Sequence, residues 1–200
     1  MGRRGDHSYD ELSKMIIEAA YELMEKEGYT NISTRKIAAQ IGYTVGTLYN
    51  IYKNLDDIFV HINARTIEKL HSTLNKALDS SKSKDSVRAL AHAYIQFSKD
   101  NFNLWSMLFE YWFPPEHVMP KWYMEKINSL YLIVGKSISQ LAPRMDEAQL
   151  KSVIMVLWAG IHGICALSIK GKLDRAGSES AQALVENFID NYMRGLGLIR

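Results

Sequence analysis

The sequence predicts an all-α protein, with a small three-helix head followed by a larger helical bundle. Three observations predict it. Apolar residues recur at i, i+3, i+4 and i+7 along most of the chain, the spacing of one buried helix face. The breaks between these stretches carry residues that start or stop helices, such as Ser33, Gly42 and Thr44. Residues 32–53, ISTRKIAAQIGYTVGTLYNIYK, read as two short helices joined by a three-residue turn, the helix-turn-helix arrangement.

Composition sets the outer bounds. The chain has 200 residues, 47% of them hydrophobic, which is ample for a core and well above disordered composition. The net charge is +2, which by itself neither favours nor excludes a nucleic-acid partner. The single cysteine, Cys165, excludes an internal disulfide and fits a reducing cytoplasm. Residues 1–7, MGRRGDH, contain no apolar core and do not read as a signal peptide. Arg3 and Arg4 suit either a flexible minor-groove arm or a solvated tail.

The first helix opens at Ser8 and ends at Gly28. Leu12, Met15, Ile16, Ala19, Ala20, Leu23 and Met24 form its apolar stripe. In the next helix, Ser33 is the N-cap and Ile37, Ala38 and Ile41 face inward. Gly42 ends it in the left-handed conformation. Thr44 caps a helix running to about residue 51, with Leu48 and Ile51 inward.

The polar residues of this stretch carry the functional signal. Thr34, Arg35, Lys36, Thr44, Thr47, Tyr49, Asn50 and Lys53 offer donors and acceptors for phosphates and base edges. Between Thr30 and Leu55 there are three basic residues and no acidic one, as a surface facing DNA phosphates requires. The first 60 residues nevertheless hold seven basic against nine acidic residues. The expectation is that Glu18, Glu22, Glu25 and Glu27 stay segregated on the preceding helix. A plain helical hairpin with a solvated face fits the spacing as well.

Residues 13–58 resemble the tetracycline-repressor (TetR) family of bacterial transcription regulators. The likeness is carried by the AA of the first helix, then EGY, TRKIA and GTLY at their mutual spacings. One position departs: where the family usually has a Lys opening the fourth helix, this chain has Leu55, within NLDD. The resemblance implies that Arg35, Val45, Gly46, Thr47, Tyr49 and Ile51 face the major groove or its edges. It implies phosphate contacts from Thr34, Thr44, Tyr49 and Lys53, with Asn50 beside them.

The remaining elements follow in order. A long helix from Asp56 to about Leu78 has Ile58, Phe59, Ile62, Ile67, Leu70 and Leu74 on its stripe, and in the family it joins head to body. Glu68 and His71 form an E-x-x-H with no second copy, so a surface pair is expected and no metal site. Residues 80–85 are a loop and residues 86–100 a helix. Residues 101–115, NFNLWSMLFEYWFPP, place six aromatics before a Pro-Pro break. A wall of a ligand cavity and ordinary core are both open for them. A helix is expected over 116–141, then one from Asp146 to about Lys170. The apolar run VIMVLWAGIHGICAL is too short for a membrane span and contains His162, so a helix buried all round is expected. Gly160 and Gly163 suggest close approach of another backbone. Trp158, His162 and Gly163 form a W-x-x-x-H-G pattern resembling the C-terminal domain of one TetR subgroup. Residues 170–177 are a loop, and Ser178 or Ser180 caps the last helix.

Taken together, residues 1–55 are expected to form a DNA-binding head and residues 56–200 a body for ligand binding and dimerisation. The expected protein is a cytoplasmic homodimeric repressor, paired through the last two helices (146–170 and 178–196). It is released from a palindromic double-stranded DNA operator by a small apolar or aromatic ligand. Trp105, Phe109, Tyr111, Trp158 and His162 are the pocket candidates. No nucleophile–base pair, metal cluster or Gly-rich phosphate loop is present in the sequence, so neither catalysis nor a cofactor is expected. The competing class is a helical-bundle carrier or enzyme that does not bind DNA.

Overall fold

A computed structural model of the chain describes residues 7–82, 85–175, 177 and 180–199. Arg3 and Arg4 of the expected arm, and Ser178 as a cap, lie outside them. The described helices are α1 (Tyr9–Glu27), α2 (Thr34–Ile41), α3 (Val45–Tyr49), α4 (Leu55–Asp79), α5 (Ser86–Asp100), α6 (Phe102–Glu110), α7 (Lys121–Leu141), α8 (Glu147–Ile169), α9 (Lys172–Arg175) and α10 (Ala181–Gly195). No strand occurs among the described residues. The chain packs as two compact units, one of residues up to 68 with 101–126, the other of 69–100 with 127 onward. The unit holding α2 and α3 therefore extends past residue 55 and takes in α6.

In the first unit, Ser8 starts α1 through a capping box with Glu11, and Gly28 ends it at φ 74°. The predicted stripe is inside: Ile16, Ala19, Ala20, Leu23 and Met24 are buried. Tyr21 is buried too, off the stripe, because the Arg65 guanidinium lies 4.0 Å over its ring and pairs with Glu18. These residues pack with Ile37, Leu48, Tyr52, Ile58, Phe59 and Ile62, and with Leu104 and Met107 of α6. A fully buried side chain of this size contributes about 1.5–3 kcal/mol, so this cluster holds α2 and α3 in place.

In the second unit, Val87, Leu90, Ala91, Tyr94, Ile95 and Phe97 line the inner face of α5. Asp146 caps α8 through a box with Gln149, and Ser180 caps α10. Arg88 of α5 pairs with Glu186, at 2.8 Å, and with Asp190, both on α10.

Five expectations change. Helix α3 stops at Tyr49 rather than near 51, with Asn50 as its C-cap. Helix α7 begins at Lys121, not 116, because Pro120 disfavours helix at the residue before it. Residues 172–175 form the short α9 where a loop is expected. Most important, α8 is not buried all round. It is long and apolar enough to cross a membrane, yet only 22% of that stretch is buried, and Met155, Val156 and Leu167 are exposed. Nor do its glycines meet a backbone. A Cβ on Gly160 would lie 2.3 Å from the Phe188 ring, while one on Gly163 would meet nothing within 4 Å.

Candidate nucleic-acid interface

The interface candidate begins with how α2 and α3 are fixed. The Ser33 hydroxyl accepts the Lys36 backbone N–H, and Ile37 and Ala38 go inside. Gly42 adopts φ 74°, ψ 24°, and the Tyr43 N–H donates to the Ala38 carbonyl at 2.9 Å, closing α2. The Thr44 hydroxyl then accepts the Thr47 backbone N–H, starting α3 one residue later. Leu48 is wholly buried and anchors α3. Everything else on α3 is left partly or fully open.

None of the sequence-predicted contacts is fully buried, though Val45 and Ile51 pack partly on the head's core. Arg35, Thr44, Gly46, Tyr49, Asn50 and Lys53 are exposed, and Thr34, Val45, Thr47 and Ile51 are half-buried. Tyr49 is 51% exposed although large and aromatic. The Thr44 and Thr47 hydroxyls lie 3.1 Å apart and hydrogen-bond each other, which fixes their directions. Among the described residues, the Arg35 and Lys53 side chains form no ion pair.

The charges are arranged differently from the expectation. Glu27 is not segregated: its carboxylate meets the Lys36 ammonium at 2.5 Å, and Glu22 accepts from Gln40 at 2.9 Å. Lys36 is thus partly neutralised within the head. Both acidic residues after the stretch are half-buried and hydrogen-bonded within the chain. Asp57 accepts the Lys53 backbone N–H at 3.0 Å, and its own N–H donates to Asn54 Oδ1. Asp56 accepts the Tyr111 hydroxyl at 2.5 Å. Burial, then Asp56, pushes the Tyr111 phenol up to about 12, so it keeps its proton and this bond at neutral pH. Leu55 is half-buried and packs on the head's core. Tyr43, in the turn, was not among the sequence candidates, and its hydroxyl bonds His7 Nδ1 at 2.6 Å.

The five pocket candidates divide between the units. Trp105 is fully buried with Phe109 at 5.5 Å between ring centroids, and Tyr111 sits among Tyr29, Phe59 and Phe113. Trp112 of the same aromatic run is 86% exposed. In the second unit, Trp158 stacks on His162 at 5.3 Å, and the Tyr94 hydroxyl bonds His162 Nδ1 at 2.7 Å. Tyr94 is a residue that periodicity assigns only to the core; the signal for it is that a buried tyrosine hydroxyl needs a partner. A groove of about 660 Å³, bordered by Pro143, Arg144, Gln149, Tyr192 and Leu196, also lies in this unit, and neither Trp158 nor His162 lines it. Glu68 pairs with Lys126, and His71 bonds Asn75. No group of three or more His, Cys, Asp or Glu fit for a metal occurs among the described residues.

Comparison with known proteins adds the following. Residues 16–62 match the family model described as bacterial regulatory proteins, tetR family, and residues 87–192 match the tetracyclin repressor-like C-terminal domain. An uncharacterised HTH-type transcriptional regulator of Bacillus subtilis, YobS, is 28% identical over 88 residues, covering 44% of this chain and 46% of that protein. The chain spans about half the length of the curated relatives it matches. Among solved structures, a protein of unknown function from Rhodococcus sp. RHA1 has a TM-score of 0.75 at 19% identity, covering 97% of this chain and 98% of that one. Thermus thermophilus FadR, a TetR-family transcriptional repressor solved with lauroyl-CoA, has a TM-score of 0.66 at 16% identity, covering 94% and 96%. At these identities the structural likeness speaks for the fold alone.

Proposed function

The chain belongs to the tetracycline-repressor (TetR) family, and on that premise we propose that it is a DNA-binding transcriptional regulator, a repressor released from a palindromic operator by a small apolar or aromatic ligand. The observation that carries the reading is the composition of the open side of α2 and α3. With Lys53 just beyond α3, it presents hydroxyls, an amide and, among the described residues, two cations without an ion pair, while Asp56 and Asp57 are half-buried and hydrogen-bonded within the chain. Phosphates meet donors there, and the carboxylates that reach α2, Glu22 and Glu27, are engaged with Gln40 and Lys36.

Residues 1–55 serve as the reading head in this proposal, and residues 56–200 as the body for effector and dimerisation. Helix α3 enters the major groove. Arg35, Val45, Gly46, Thr47 and Ile51 face the base edges, and Thr34, Thr44, Tyr49, Asn50 and Lys53 hold the backbone. Gly46, exposed and without a side chain, lets the chain approach closely. Two copies pair through α8 and α10. The support is the exposed Met155, Val156 and Leu167 on α8, an apolar face of the kind that marks an association surface. The regulator works in the cytoplasm, where its operator is.

The body takes the effector. The stacked Trp158 and His162, with Tyr94 fixing the imidazole, supply aromatic faces and a polar handle in the second unit; Trp105, Phe109 and Tyr111 are a separate set of candidates in the first. FadR's complex with lauroyl-CoA illustrates a ligand held by a relative of the same fold. Effector and operator are linked reciprocally, so a tenfold loss of DNA affinity needs about 1.4 kcal/mol of differential ligand binding.

The test is a pair of variants in a gel-shift assay against several duplexes. Tyr49→Ala weakens binding to every sequence, whereas Arg35→Ala relaxes base preference by about 1–3 kcal/mol at one position. An equal loss on all duplexes for both variants contradicts the assigned roles.

A further inference from the structure

We propose that the first packing unit carries a small-molecule site of its own, for a planar aromatic cation, in the pocket lined by Tyr9, Tyr52, Asp57, His61 and Trp122. The pocket is about 360 Å³, at the lower end of ligand sites and enough for one fused two- or three-ring system. All of its lining belongs to the first packing unit.

Ring geometry sets the shape of the ligand. The His61 imidazole lies between two aromatic rings, with Tyr52 edge-on at 5.3 Å and Trp122 tilted at 5.1 Å. Trp122 is 37% exposed and Tyr9 62%, so aromatic surface is left open for a flat partner to stack on. Val118, 87% exposed, stands at the same pocket.

Charge sets the sign of the ligand. Among the described lining residues there is one carboxylate, Asp57, and no Lys or Arg. Burial lowers the His61 pKa below its ordinary value, against a smaller opposing pull from Asp57, so the ring is neutral at pH 7. A carboxylate beside π faces favours a cation and repels an anion.

The site touches the DNA-reading segment directly. Ile51 and Tyr52 line it two and three residues after α3 ends, and the Tyr9 hydroxyl donates to the Ile51 carbonyl at 3.3 Å. The pocket shares no residue with Trp158 and His162 of the second unit and needs no effector there.

The experiment titrates the full chain, without DNA, with proflavine and reads dye anisotropy. Saturable binding at one dye per chain is expected. Asp57→Asn, which keeps an oxygen for the Lys53 N–H, weakens it about tenfold, and 9-anthracenecarboxylate, a flat anion of similar size, binds at least about tenfold more weakly than proflavine. Val118→Lys places a like charge at the pocket on a side chain too exposed to unfold the head, and it weakens proflavine binding as well. Equal binding to wild type and Val118→Lys, equal binding of the anion, or no saturation at all overturns the proposal. A melting curve checks Asp57→Asn, and Val118→Lys decides alone if that variant does not fold.

Discussion

Leu55 and Asp57 sit two residues apart in the first turn of α4 and do opposite things. Asp57 is bound to the backbone at Lys53, and Leu55 packs on the head's core. The head thus gives up a cation at the start of α4 in exchange for apolar contact. Leu55→Lys is expected to tighten DNA binding and steepen its salt dependence by about one unit of slope, at a cost in stability from lost packing. Binding measured at several salt concentrations, beside a melting curve, checks both.

Cys165 gives a second prediction at the same scale. Burial raises its thiol from 9.0 to about 11. The folded form therefore holds its proton where the unfolded form has lost it. The resulting stability is fully present below pH 9 and is lost as pH rises toward 11, by about 2–3 kcal/mol. Cys165→Ala flattens that part of the pH–stability curve relative to wild type, and denaturant melts across pH 8–11 read the difference. Single residues were unevenly legible in the sequence. Ser33, Gly42 and Thr44 announce their roles because capping is local. The Glu27–Lys36 pair and the bond from Tyr94 to His162 join different helices, and no spacing rule reaches them.

Among the elements, α8 tests the packing account. Gly160 accepts the Phe188 ring of α10, and a Cβ there would lie 2.3 Å from it. Gly160→Ala therefore forces the Phe188 ring, or α10 with it, to shift and lowers the melting temperature by an amount corresponding to about 1–3 kcal/mol. In the single chain a Cβ on Gly163 would meet nothing within 4 Å, so Gly163→Ala gains up to about 1 kcal/mol of helix propensity when measured on the unpaired chain. Thermal unfolding of both separates contact from propensity. Helix limits were legible where a cap residue marks them, as at Ser8, Gly28 and Asp146. They were not where Pro120 delays α7, or where α9 is too short for periodicity to register. The run of α8 reads as buried because composition alone cannot distinguish a core helix from one with an exposed apolar face.

At the scale of the whole molecule, these features make one system. The head displays donors on α2 and α3, and in the proposed reading the exposed apolar face of α8 would take a second copy and the aromatic groups an effector. Two-fold pairing would set two copies of α3 about one DNA turn apart, roughly 34–36 Å. The measurement that tests this most directly is selection of bound sequences from a random double-stranded DNA pool, repeated at two salt concentrations. The account predicts enrichment of a palindrome whose half-sites lie one helical turn apart, retained at the higher salt. Binding that is uniform across sequences and vanishes with modest salt would contradict it, and would mean that the cations of α2 and Lys53 attract DNA without reading it.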